Sequence, residues 1–369
     1  MGLQSFDSTF VLAAVALPPP LHGQSATNAA VVNRLQQTAR TVVVDIGPRE
    51  YRSKLGYHVN RILAVLQAIV LEFKYVTRSK RIFYGVIESG WGRCYNSVII
   101  AAARLLRYDI VLHHHTSAHT LKHSKGFGFL VRLAGPQALH VVLGQQMARD
   151  LLSRYPRVRR SLVVHNSAFL CLPRRVSQVG ANLPKLTIGF LSNLTNEKGL
   201  DSVLNVLRSG RAEGLELELK LAGPAGNTEV REQIKSAQRE FGPALKVLGA
   251  VGPAEKQEFF AGIDLFLFPS RYKFEAQPLV VLEAMSFGVP TIVSQRGYTS
   301  EIVGDTGHVV ADQSDLVASS VEICRRYASG CLSLSSQGAR SRERFVRLRR
   351  EGQSGLSSLQ ELVVKGRAA

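Results

Sequence analysis

The chain has 369 residues, 45% hydrophobic and 20% charged, with a mean hydropathy of +0.03. That composition excludes a disordered chain, and the length is about twice what one core of roughly 150–200 residues fills, so two domains are expected. The formal net charge is +18, and residues 1–184 hold 23 Lys and Arg against 7 Asp and Glu, whereas residues 185–369 hold 23 against 21.

Four cysteines, Cys94, Cys171, Cys324 and Cys331, form no CxxC pair. A disulfide framework and a structural zinc site are thereby excluded, and a reducing cytoplasm is expected. No apolar run reaches the roughly 18 residues of a membrane span.

Short apolar runs alternate with helical patterns, as in parallel sheets built from βαβ units. Strands are predicted at 10–17 (FVLAAVAL), 42–46, 82–87, 109–113, 138–143 and 162–164, with helices at 26–40, 58–73 and 97–107 between them. The first run has Asp7 before it, no basic lead-in, and Pro18-Pro19-Pro20 after it, so it reads as a buried strand and not a secretory signal. Periodicity breaks over 167–184, where Pro173, Gly180 and Pro184 interrupt it. The pattern then restarts with strands at 186–191, 215–221, 245–248, 265–268, 291–293 and 308–310, and helices at 200–209, 228–241, 279–287 and 315–327. The expected class is α/β: two doubly wound Rossmann-like domains facing across a cleft, at 1–170 and 185–335, with a linker at 171–184. A basic helix, 336–369, is expected to pack back on the first domain or to face solvent.

In open parallel sheets the loops behind the strands carry the chemistry. The richest stretch is 264–294, DLFLFPSRYKFEAQPLVVLEAMSFGVPTIVS, an apolar strand, a polar loop and a helix that starts near Pro278, a residue suited to a first helical turn. Glu275 falls in the loop and Glu283 about one and a half turns into the helix, whose first amides and dipole suit a phosphate. A second such unit, IGFLSNLTNEKGLD at 188–201, sets Lys198-Gly199 before a helix. A third, 16–35, has a proline-stiffened turn, Gly23, and Ser25 as the expected N-cap. In IVLHHHTSAHTL, 110–121, strand alternation sends His113 and His115 to one face and His114 to the other, so the three cannot close on one metal ion. No DxD motif occurs.

The E-x7-E pair with the following AMSFGVP resembles the donor-site signature of family-four retaining glycosyltransferases, enzymes of the GT-B fold. That resemblance implies transfer of a sugar from a nucleotide-diphosphate sugar to a hydroxyl acceptor. It further implies that Glu275 contacts the transferred sugar, Glu283 the ribose and Lys198 the diphosphate, with Gln277, Leu279 and Val280 beside them. Gly23 resembles the first strand-to-helix loop, and His115, or else His119, the histidine against the donor sugar. Gly223 and Gly252 resemble the turns lining the base pocket, and Glu301 a glutamate near the next strand's end. Two positions depart from the pattern. Asn193 replaces an arginine, and Gln277-Pro278 replaces Phe-Gly, which removes one backbone donor.

The resemblance also implies metal independence, no cofactor, and an acceptor bound by the first domain. The basic first half then predicts an anionic acceptor, sugar or lipid-linked, or one presented at an anionic membrane to which a cytoplasmic protein docks peripherally. A GT-B epimerase and a non-catalytic nucleotide-sugar or nucleic-acid binder are the competing readings. Nucleic acid is disfavoured, since no zinc finger, RNP or clear helix-turn-helix pattern is present.

Overall fold

The computed structural model describes residues 9–19, 23–47, 54–88, 90–173 and 184–365. Those up to Phe169 form one compact unit together with those from Arg350 onward, and Leu170 to Arg349 form a second.

The first unit runs β1 (Thr9–Val15), α1 (Gly23–Gln36), β2 (Arg40–Asp45), α2 (Lys54–Lys74), β3 (Lys80–Ile87), α3 (Trp91–Leu105), β4 (Asp109–His114), α4 (Ala118–Leu121), α5 (Lys125–Ala134), β5 (Leu139–Val142), α6 (Gln145–Arg154) and β6 (Arg160–Val163). The second runs β7 (Leu186–Leu191), α7 (Leu200–Ala212), β8 (Leu217–Ala222), α8 (Thr228–Phe241), β9 (Leu245–Val247), α9 (Pro253–Ala261), β10 (Leu265–Phe268), α10 (Leu279–Ser286), β11 (Thr291–Ser294), α11 (Thr299–Val303), β12 (His308–Val310) and α12 (Leu316–Ala328). A last helix, α13 (Leu334–Lys365), begins in the second unit and ends in the first.

Each unit holds a six-stranded sheet whose pairs are all parallel, ordered β2-β1-β3-β4-β5-β6 and β12-β11-β10-β7-β8-β9. Continuous apolar strands require this arrangement, because only a sheet covered on both faces buries every side chain, as in β1, where all seven residues are buried. In the second sheet the chain order reverses between β7 and β10, and in the first between β1 and β3. A ligand crevice in a doubly wound sheet opens at that reversal.

The strands predicted from the sequence are all present. Ser25 differs from expectation. Helix α1 already starts at Gly23, with the Thr27 hydroxyl donating to the Gly23 carbonyl (2.9 Å), so Ser25 is a buried third residue of the helix and not its cap. Of the expected linker, residues 174–183 lie outside those described.

Helix α13 crosses the boundary at Arg349 and Arg350. Its Phe345 enters the second unit's core, and Leu356, Leu359 and Val363 enter the first unit's. Glycine is required where it meets β6, since a Cβ on Gly355 would overlap the Val163 carbonyl.

Helix α2 is held by an unusually polar buried stripe, Arg61, Val65, Ala68 and Glu72. Arg61 pairs with Glu88, but neither Glu72 carboxylate oxygen has a partner, and burial raises its pKa from 4.5 to about 8. In the unfolded chain that proton leaves near pH 4.5, so Glu72 makes stability fall as pH rises from 4.5 toward about 8. Glu72→Gln is therefore expected to melt higher than wild type at the upper end of that window, by on the order of 2 kcal/mol, with the difference vanishing at the lower end in a thermal-melt series.

Candidate functional site

At the reversal point of the second sheet, the loops behind β7, β10 and β11 are brought together by two glycines. Gly199, at φ +91°, sits where any Cβ would overlap the Pro269 carbonyl, and Gly297, at φ +54°, where one would overlap the Glu275 carbonyl. Only glycine permits both the left-handed conformation and the close approach. Between these clamps the Lys198 Nζ donates to the Glu275 carboxylate, and the same Oε1 accepts from the Ser270 hydroxyl at 2.8 Å. The Ser270 carbonyl in turn accepts from Ser294 (2.5 Å), and the Glu275 carbonyl from the Tyr298 amide (3.1 Å). Glu275 is 7% exposed, while the Lys198 side chain is 27% exposed and lies 5.1 Å from the Tyr272 ring centre. The loops thus present one accessible cation and one nearly buried carboxylate, locked to each other.

Behind this pair, α10 begins one residue later than Pro278, which takes the N-cap position and not the first helical turn. The amides of Leu279 and Val280, both half-buried, have no intrahelical acceptor at such an end and can receive an anion. Gln277 is buried in the loop just before them. Glu283, the fifth residue of α10, accepts from Lys256 Nζ of α9 through Oε1 at 2.9 Å, whereas its Oε2 is buried with no partner. Burial pushes the Glu283 pKa up, against the Lys256 cation, which lowers it.

The other expected residues of this unit lie at the carboxyl ends of its strands. Gly223, at φ +119°, follows β8 and packs against the Ser192 carbonyl, with Leu194 and Ala225 bridging the same two loops. Asn193 is exposed in the β7 loop, and Gly252 caps α9 ahead of Pro253. Glu301 lies in α11, where its carbonyl accepts from Arg344 of α13.

Gly23 and His115 belong to the first unit. Gly23 is the exposed first residue of α1. His115 follows β4, half-buried, with its ring 4.2 Å from that of His113, whose Nδ1 meets the Tyr84 hydroxyl at 2.5 Å. The alternation expected for the three histidines holds, since His114 turns the other way and bonds His119 (2.6 Å) and His140 (3.0 Å). Burial drives these last two down, to about 3 for His119 and about 4 for His140, so the cluster is neutral. His119, the alternative to His115, is 1% exposed and bonded to His114.

Sequence reading missed Ser270, Tyr272 and Lys256. Ser270 stands just behind a strand, which could have marked it, but nothing local to PAEKQEFF distinguishes Lys256 from a solvated helix lysine. Among the described residues no cluster of three or more His, Cys, Asp or Glu is arranged to hold a metal ion, and no helix is long and apolar enough to cross a membrane.

Residues 185–326 match the family model described as Glycosyl transferases group 1, a stretch running from the start of β7 into α12. Glycogen synthase of Rhodopseudomonas palustris (strain BisB18) is 31% identical over 136 residues, 37% of this chain and 27% of that protein. The chain thus spans about a quarter of the length of such curated relatives. The solved glycosyltransferase of Rickettsia africae ESF-5 superposes with a TM-score of 0.70 at 11% identity, over 98% of this chain and 100% of that one. HepE of Anabaena, solved with UDP and glucose, superposes at 0.66 with 17% identity, over 95% and 100%. The fold is GT-B, as the resemblance implied.

The coupling of Glu283 to Lys256 is open to a double-mutant cycle. Lys256→Met is expected to lower stability near neutral pH by about 1–2 kcal/mol, because it strands a buried carboxylate, and Glu283→Gln in the same chain should recover most of the loss in thermal melts.

Proposed function

We propose that the second unit, a Glycosyl transferases group 1 domain, binds a nucleotide-diphosphate hexose, and that the protein transfers the hexose to a hydroxyl acceptor with retention of anomeric configuration. The observation that supports this most is the Lys198–Glu275–Ser270 triad at the sheet's reversal point, with the α10 amino terminus beside it and the orphaned Glu283 Oε2 further along that helix.

In this reading the arriving diphosphate takes Lys198 away from Glu275. The ammonium then neutralises charge developing on the leaving phosphate, and the Leu279 and Val280 amides share that task. Freed of Lys198 but still held by Ser270, Glu275 accepts hydrogen bonds from the sugar hydroxyls. Glu283 Oε2 accepts from a ribose hydroxyl while Lys256 keeps Oε1 in place, which satisfies a buried acceptor that otherwise has no partner. The bond from the anomeric carbon to the diphosphate oxygen breaks, and the acceptor oxygen bonds to that carbon on the same face. The departing phosphate oxygen takes the acceptor's proton. Lys198 and the helix end supply the positive charge, so the reaction is proposed to need neither metal nor cofactor. Because the Anabaena structure carries UDP and glucose, UDP-hexoses are the first donors to test. A cytoplasmic setting fits both such donors and the four unpaired cysteines.

With the correct donor and acceptor, Glu275→Gln and Lys198→Ala are each expected to lower kcat/KM about 10²–10³-fold, and Ser270→Ala about tenfold, as measured by nucleoside diphosphate release. Retention would be read directly by NMR of the first-formed anomer. An unchanged rate for Glu275→Ala would sink the assignment. Isomerised nucleotide sugar formed without any acceptor would replace it with an epimerase.

A further inference from the structure

Helix α2 faces a polar stripe inward and an apolar one outward. Its buried residues are Arg61, Val65, Ala68 and Glu72, whereas Leu55, Val59, Ile62, Leu66, Val70 and Phe73 are exposed, the last two at 64% and 59%. At about 100° per residue these six fall within an arc of roughly 80°, well away from the buried stripe. Helix α3 packs against α2 and repeats the pattern at seven-residue spacing, with Trp91, Val98 and Leu105 exposed at 70%, 51% and 82%. The Trp91 ring of α3 meets the His58 ring of α2 edge-on at 6.0 Å. Soluble surfaces scatter such residues singly, so a continuous band of them marks an interaction surface.

The charge around this band is one-sided. Residues 54–107 contain nine Lys and Arg against two Glu. Of the two, Glu72 is buried and Glu88 is paired with Arg61. Exposed Lys74 follows Phe73 directly, and exposed Arg104 and Arg107 flank Leu105. A second copy of the chain is a poor occupant, because self-association would set like charges against each other. The outward strips of the 21-residue α2 and the 15-residue α3 are moreover about 30 Å and 20 Å long and about 10 Å wide, together still below the roughly 800 Å² per partner of a stable interface. A bilayer surface meets both conditions at once, since its headgroups take the cations and its acyl boundary takes a helix face to a depth of about 5–10 Å.

We propose that α2 and α3 are a docking surface for an anionic lipid bilayer, with the α2 band inserted at the headgroup boundary and Lys74, Arg104 and Arg107 against the anionic headgroups. This does not depend on the donor assignment and is tested without catalysis, by flotation of the full chain with vesicles of phosphatidylcholine containing about 30% phosphatidylglycerol at about 0.1 M salt. Wild type is expected to float with these vesicles and at least roughly tenfold more weakly with pure phosphatidylcholine, and salt should weaken the interaction. Leu66→Gln/Val70→Gln and, separately, Lys74→Glu/Arg107→Glu should each lose about tenfold or more, while Leu152→Gln, an exposed apolar residue on α6, should match wild type. The substituted side chains are exposed, and unchanged melting would show that the variants fold. Absence of wild-type binding, or a Leu66→Gln/Val70→Gln variant that floats like wild type, overturns the proposal. So does a dimer in sedimentation that this variant breaks, which would assign the face to a second copy.

Discussion

The second unit's site depends on one short loop, 269–278, being held between two backbones. Gly199 presses against the Pro269 carbonyl on one side and Gly297 against the Glu275 carbonyl on the other, and neither position has room for a Cβ. Those clamps fix Glu275 where Lys198 reaches it, although the two residues are 77 positions apart in the chain. The sheet sets up the meeting, since β7 and β10 are neighbours only because the chain order reverses between them. The ion pair is then a local consequence of topology and of two residues without side chains.

The two glutamates of this site are prepared in different ways. Glu275 has its charge met by Lys198 and one hydroxyl, both on the same oxygen. Glu283 is only half satisfied, with Lys256 on one oxygen and nothing on the other, and burial opposes its ionisation. An incompletely satisfied buried acceptor is a standing cost that a ligand donor can remove. The unit thus sets an unpartnered buried carboxylate oxygen beside the Lys198–Glu275 ion pair.

Much of this was legible in the sequence. Apolar runs of three to eight residues located the strands, and the contrast between a loop glutamate and a helix glutamate gave Glu275 and Glu283 separate surroundings. The alternation of His113, His114 and His115 also followed from strand geometry. What remained hidden was contact between distant segments. Lys256 looks like any helix lysine until α9 is placed beside α10, and Ser270 becomes a partner of Glu275 only when the loop folds back. Ser25 was misread because a serine near a helix start satisfies the cap pattern wherever the first turn happens to begin. The apolar outward face of α2 escaped notice for another reason: its periodicity is that of any amphipathic helix, and the sequence does not say which stripe meets the core.

The asymmetry of charge acquires a location from the structure. Residues 54–107, which carry α2 and α3, hold +7 of the first half's +16, while in the nearly neutral second half the Lys198–Glu275 pair stands at the carboxyl edge of the sheet, where β7 and β10 meet. The central claim is that this edge recognises a diphosphate through Lys198, and thermal shift with nucleoside diphosphates and monophosphates, on wild type and Lys198→Met, addresses it most directly. At least one diphosphate should raise the wild-type melting temperature clearly more than its monophosphate, because a ligand that binds only the native state stabilises it, and Lys198→Met should erase that difference. No shift with any nucleoside diphosphate, or a shift that survives intact in Lys198→Met, would contradict it.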